Sequence, residues 1–365
     1  MKVAILELCS PNHSSLVENW VDYFSHYKKY DVKVLCCSET CKRLDVEVPI
    51  TVVNDGSKLK LFKSIFKSLK DADIIVYNSI QTKFIFFTFL TFLLNKKRSV
   101  LVIHNVNAWL GKNRGPILKR FIKRACRKII ISNIEKLSFC SSSLMKQFTT
   151  TKKELLDNSM VMPFQLIVDS ECSRYVTPSK KSEFLVVYPG IVSTKRKEYK
   201  AILEAFADLP NNFKLVLLGK LSEEGGGEIY NNFSKFENIK FFRGFVPNDV
   251  FEEYVTSADF LISDLRDGVF IRYDYMELYG LTKDTGVVHL SQKYNIPLIV
   301  NHSFHSMIKN TLHCTPFNGK EDLKDTLSRF HSSPEEYSLL KEKLSDSRKN
   351  VRIERVYDEI DEHFN

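Results

Sequence analysis

The sequence predicts an α/β protein made of two doubly wound, Rossmann-like domains that face each other across a cleft. Three observations predict it. Strand-like apolar runs recur along the chain, each followed by a stretch with helical spacing. The series starts twice, once at "KVAILEL" and again at "FLVVYPG". The runs are continuous in apolar residues, as in parallel sheets covered on both faces. A chain of 365 residues also suits two cores better than one.

In the first half the expected strands are "KVAILEL", "DVKVLCC", "DIIVYN", "SVLVIHN" and "KIIISN", separated by helical patterns such as "SLVENWVDYFSHY" and "KLFKSIFKSLKD". The second half reads "FLVVYPG", "FKLVLLG", "NIKFFRGF", "ADFLIS" and "IPLIVN" as strands. Its helices are "YKAILEAFADL", "NDVFEEYVTS", "GVVHLSQKY" and "KEDLKDTLSRF". The boundary falls in "VMPFQLIVDSECSRYVTPSKKSEF", rich in Pro, Ser and charge. The expected domains are therefore 1–170 and 171–349, with a helical tail over 350–365 that packs back on the first.

Composition narrows the class. With 44% hydrophobic and 27% charged residues, 27 Phe and 15 Tyr, the chain is not disordered. Eight scattered cysteines form no CxxC pair, and Met1-Lys2 leads straight into a short apolar run. Both point to reduced thiols in a cytoplasm and to no signal peptide. The net charge of +9 points to anionic partners: a phosphorylated substrate, an anionic lipid or nucleic acid. No nucleic-acid module is present to support the last. The run Phe84–Leu94 is about half the length of a membrane span, and reads as a buried helix or a shallow interfacial element. "GKNRGPILKRFIKRACRKIII" places cations among apolar residues at helical spacing, as a solvated face or an anionic membrane surface requires.

In an open α/β sheet, ligands settle beyond the carboxyl ends of the strands. After "FLVVYP" come Gly190 and, soon after, Arg196 and Lys197, beside a helix expected from Glu198–Tyr199. Gly190 permits a tight turn, and the two cations with a helix start suit a diphosphate. Gly219 closes the next strand, before the loop Gly225-Gly226-Gly227. In the first domain His104 follows "SVLVI" and His13 follows the first strand. Both are placed to meet a ligand in the cleft and to move the proton of a hydroxyl there. Asp71-Ala72-Asp73 is a DxD, but it precedes "IIVYN" and so lies at the far edge of the sheet. No His, Cys or Asp cluster has metal-ligand spacing.

Pro189-Gly190 with Arg196-Lys197, then "KLVLLG", "IKFFRGFV" and "YVTSADFLIS", appear in the order and spacing of a known pattern. In these elements the chain resembles the C-terminal domain of GT-B glycosyltransferases, especially the large retaining family called family 4. That family carries two Glu with seven residues between them; here the positions are Thr282 and Leu290. The stretch is closer to a divergent branch, matched by Thr285-Gly286, His289-Leu290 and Ile296-Pro297. The resemblance implies a GT-B enzyme with a nucleotide diphosphate-sugar donor in the second domain. Arg196, Lys197, Gly190, Gly219 and the helix start at Thr285, Gly286, Val287 and His289 would hold the diphosphate end. The backbone at Phe245 and Val246 would meet the base, and Glu277 the ribose. The expected activity is sugar transfer to a glycan or polyprenyl-linked acceptor in surface polysaccharide biosynthesis. It would be of hexosyltransferase type, retaining, with no metal or other cofactor, cytoplasmic and peripheral at the inner face of the membrane. The alternatives are a nucleotide-sugar epimerase of the same fold and a catalytically degenerate GT-B partner subunit.

Overall fold

In the computed structural model, residues 1–9, 13–53, 57–95, 97–111, 116–167, 183–271, 275–309 and 311–364 are described. The apolar runs do become parallel strands. The first sheet contains β1 (Lys2–Glu7), β2 (Asp31–Cys36), β3 (Ile50–Val52), β4 (Ile74–Tyr77), β5 (Arg98–Ile103), β6 (Lys136–Phe139) and β7 (Ser159–Val161). Its spatial order is β3-β2-β1-β4-β5-β6-β7, all parallel. The second contains β8 (Phe184–Pro189), β9 (Phe213–Lys220), β10 (Ile239–Phe242) and β11 (Phe260–Ser263). A hairpin follows, β12 (Gly268–Ile271) with β13 (Tyr275–Leu278), before the sheet resumes with β14 (Leu298–Asn301) and β15 (Thr315–Phe317). The spatial order β10-β9-β8-β11-β14-β15 repeats the first plan. In both sheets the chain reverses direction beside the first strand, which opens a crevice at the carboxyl edge.

Each sheet has one core on each face. Ala4 and Leu6 look to one side of β1, Val3 and Ile5 to the other, as a period of two requires. The tail ties the halves together. The helix Pro334–Arg348 packs on the second domain, where Arg348 donates to the carbonyls of Gln292 and Lys293. The chain then crosses, and the helix Ile353–Phe364 buries Val356, Tyr357 and Ile360 in the first domain, beside β7 and the ring of Tyr23. Tyr275 of the hairpin reaches the first core from the other side.

Several local expectations are corrected. "KIIISN" is not a strand: Ile129–Ile131 end the 16-residue helix Ile117–Ser132, with Ile130 buried and Ile129 exposed. The strand is "KLSF", whose Ser and Lys hid it from an apolar reading. Gly225, with φ +78°, caps the helix Gly226–Phe233, so the glycine run begins a helix instead of forming a loop. The helix after Gly190 starts at Lys200, leaving Arg196 and Lys197 in the preceding loop. Asp73 accepts from the Lys2 amide at 2.8 Å, at the entry edge of β1 and β4. The boundary near residue 170 lies outside the described residues.

Candidate active site

The carboxyl ends of both sheets border one cavity of about 560 Å³. His13, Gln81, His104 and Cys140 line it from the first domain; Arg196, Lys283, Asp284, Thr285, Gly286 and His289 line it from the second.

The two histidines stack, with ring centroids 4.0 Å apart and planes 8° from parallel. Burial holds the His104 pKa well below the usual histidine range, so the ring is neutral and carries one N–H. Its Nε2 lies 2.8 Å from the Asn78 carbonyl, which only accepts, so the proton is assigned there. Nδ1 is then an acceptor, 3.5 Å from Cys140 Sγ. Burial pushes that thiol well up, so it keeps its proton and donates. Both nitrogens of His104 are thus engaged. The expectation that His104 takes a proton from an acceptor is corrected: the ring supports His13 from below.

His13 is arranged differently. Its Nδ1 is 3.2 Å from Oε2 of Glu7, the last residue of β1 and fully buried. Glu7 is held by Asn78 Nδ2 at 2.9 Å, Ser79 Oγ at 2.8 Å and the Cys9 amide at 2.7 Å. The His13 Nε2 is at the cavity wall, 3.5 Å from the Gln81 amide nitrogen. A carboxylate fixing Nδ1–H leaves Nε2 as the accepting atom, and its present donor, the Gln81 amide, lies at the cavity wall where an entering hydroxyl can replace it, the arrangement of an oriented general base. Glu7 escaped the sequence reading. Its signal was an acid closing the otherwise apolar "VAIL" at the edge where ligands bind.

Of the expected cation pair, one side chain lines the cavity and the other does not. Arg196 is exposed and lines the cavity. Lys197 does not: its Nζ donates to the Pro189 carbonyl at 2.7 Å and lies 4.6 Å from the Tyr188 ring. Burial pushes Lys197 down to about 7. It braces the turn at Gly190, whose φ of +90° places it in the region that favours glycine. Gly219 serves the same turn, because a Cβ there would sit 2.4 Å from the Gly190 carbonyl oxygen. The second cation of the cleft is Lys283, bonded to Asn105 Oδ1 at 3.1 Å and depressed in pKa by burial. Its place two residues before Thr285-Gly286 was the available clue.

The helix Gly286–Tyr294 opens on the cavity at Thr285 and Gly286, and Thr285 makes no side-chain cap, leaving first-turn amides for a ligand. His289 borders the same space. Both its ring nitrogens, and Asp284 Oδ2 at 3.8 Å, are buried without a hydrogen-bond partner among the described residues. Buried polar atoms left unpaired beside a cavity mark where a ligand's groups complete the bonding. Burial lowers the His289 pKa and raises that of Asp284.

Besides Gly190, Lys197 and Gly219, four further expected donor residues lie away from the cavity wall. Phe245 is 76% exposed, and Val246 and Val287 pack into the second core. Glu277 is fully buried and accepts from the amides of Asn107 at 3.2 Å and Ala108 at 3.1 Å. The ribose role is corrected: this carboxyl latches the hairpin to the first domain. Burial raises its pKa to about 7. The native state therefore holds a proton that the unfolded chain releases from about pH 4.5 upward. Stability from this group is full below about pH 4.5 and is lost as pH rises through about 7, a change of about 3 kcal/mol at most. Urea midpoints should fall between pH 5 and 8, and Glu277→Gln should flatten that slope.

No family model and no curated protein sequence matches the chain. Solved structures do. Anabaena HepE in complex with UDP and glucose superposes with a TM-score of 0.69 at 12% identity, over 100% of this chain and 99% of that one. Neisseria meningitidis UDP-GlcNAc 2-epimerase bound to UDP-GlcNAc gives 0.65 at 10% identity, over 100% and 99%. An α-glucosyltransferase in complex with UDP-glucose and DNA gives 0.65 at 12% identity, over 100% of both chains. With its two Rossmann-like sheets and the crevice between them, the chain has the GT-B fold.

Proposed function

We propose that the protein is a glycosyltransferase moving a sugar from a nucleotide diphosphate-sugar to a hydroxyl of a glycan or lipid-linked acceptor, in surface polysaccharide assembly at the cytoplasmic side of a membrane. One observation carries this reading: two cations and a helix start confront an acid-oriented histidine across a single interdomain cavity. Arg196, Lys283 and the amides after Thr285 would bind the diphosphate and stabilise the charge it gains on leaving. His13 Nε2 would accept the acceptor's hydroxyl proton while its oxygen bonds to the anomeric carbon and the carbon–oxygen bond to the diphosphate breaks. Direct displacement inverts the anomeric centre, and the oriented base is the reason to prefer it over the retention expected from sequence resemblance.

A thermal-shift and calorimetry panel of UDP, GDP, CMP and their sugar conjugates tests the reading. At least one nucleotide diphosphate-sugar should bind and raise the melting temperature, and failure of all would refute it. The epimerase reading is favoured by the UDP-GlcNAc 2-epimerase among the similar folds. It predicts an altered sugar from the donor alone, whereas a transferase needs an acceptor before a new glycosidic bond appears.

A further inference from the structure

Between Asp73 and Glu135 the chain carries twelve Lys and Arg and no acidic residue, more positive charge than the net +9 of the whole protein. Two helices from this stretch, Phe84–Leu93 and Ile117–Ser132, pack side by side on the outside of the first domain. Their inner residues Phe87, Leu90 and Ile130 are buried. Their outer faces are apolar too: Ile85, Phe89, Phe92, Ile117, Leu118 and Phe121 are 58–77% exposed. An apolar groove of about 1130 Å³ runs beside them, with Lys83, Lys119 and Lys123 among its lining. Lys119, Arg120, Arg124 and Lys128 are exposed on the second helix.

We propose that this face docks the protein on an anionic lipid bilayer. The argument is charge complementarity joined to apolar exposure. Exposed aromatic and aliphatic side chains in one patch are costly in water and mark a partner surface. Cations interleaved with them suit the boundary where lipid headgroups meet acyl chains, the apolar groups entering and the Lys and Arg heads staying among phosphates. Nucleic acid would use the cations but leave Ile117 and Leu118 exposed. Neither helix is long and apolar enough to cross a membrane, so the geometry is that of a surface element. The face also adjoins the active site. Phe84 borders the groove and, on its other side, a small cavity shared with Gln81, Trp109 and His104. Docking here would bring the flank of the interdomain cleft near the bilayer. The proposal stands without the proposed reaction, and its test needs no nucleotide.

The full chain is sedimented with vesicles of phosphatidylcholine alone and with vesicles rich in phosphatidylglycerol. Binding is expected to the second only, and to weaken sharply in roughly 0.5 M salt. Lys119→Ala with Lys123→Ala should weaken it roughly 25-fold, about fivefold for each cation. Phe89→Ser with Phe121→Ser should abolish it while melting temperature and far-UV circular dichroism stay unchanged. Equal binding to both vesicles, indifference to salt, or no effect of either pair would overturn the proposal. So would a dimer in light scattering that Phe89→Ser and Phe121→Ser dissociate, or a short duplex DNA binding more tightly than the vesicles.

Discussion

Replacing His13 with alanine is expected to lower turnover roughly 10²- to 10⁴-fold, the range for losing a positioned general base. Donor affinity should change less than twofold, because the groups proposed to bind the diphosphate lie across the cleft on the second domain. Added imidazole should restore part of the activity, which a merely packing role for the ring would not allow. Glu7→Gln should produce the same split on a smaller scale. It keeps an acceptor at only one of the two oxygen positions, since Asn78 and His13 bond to Oε2 and Ser79 to Oε1, and it removes the charge that orients Nδ1–H. Glu7→Asp should recover more turnover than Glu7→Gln at equal melting temperature. If His13→Ala leaves turnover intact, or lowers it only through lost donor binding, the base is elsewhere. The anomeric configuration of the product, read by NMR, is an independent check on direct displacement.

The second large effect concerns the cation pair. Arg196→Ala should raise the Kd for a nucleotide diphosphate roughly 10- to 150-fold, the 1.5–3 kcal/mol typical of hydrogen bonds to a charged group. Lys283→Ala should weaken binding comparably. Arg196→Lys should recover only part, since an ammonium cannot supply the two-pronged grip of a guanidinium. Lys197→Ala is the discriminating control. Its ammonium is spent on the Pro189 carbonyl and the Tyr188 ring, so it should cost stability and change nucleotide affinity little. A loss as large as that of Arg196→Ala would show that Lys197 enters the cleft when the donor binds. These losses should shrink at high salt, because Arg196 is exposed and its charge is screened.

Both effects depend on contacts far apart in sequence. Glu7 meets Asn78 and Ser79, which follow the neighbouring strand β4, and His13 stacks on a residue following β5. Lys283 reaches Asn105 of the other domain. Glu277 latches onto the amides of Asn107 and Ala108, also across the domains. None of these pairings has a sequence period, so no scan along the chain can find them.

What the sequence determined by itself was the architecture and the edge on which function lies. Strand and helix signals are local: apolar runs such as "DIIVYN", helical spacing in "YKAILEAFADL" and Gly190 at a turn act on neighbouring residues, and two such series dictate two covered parallel sheets. Where local signals conflict, as in "KIIISN", helical context overrode β-branched content. Only the tertiary structure decided which of the candidate side chains share the cleft. It turned Lys197 inward and brought Lys283 to the cavity. It engaged both nitrogens of His104, and left His13 oriented by an acid. The physical reason is that proton position and charge pairing depend on distances of a few ångströms between residues tens to hundreds of positions apart, and folding alone sets those distances.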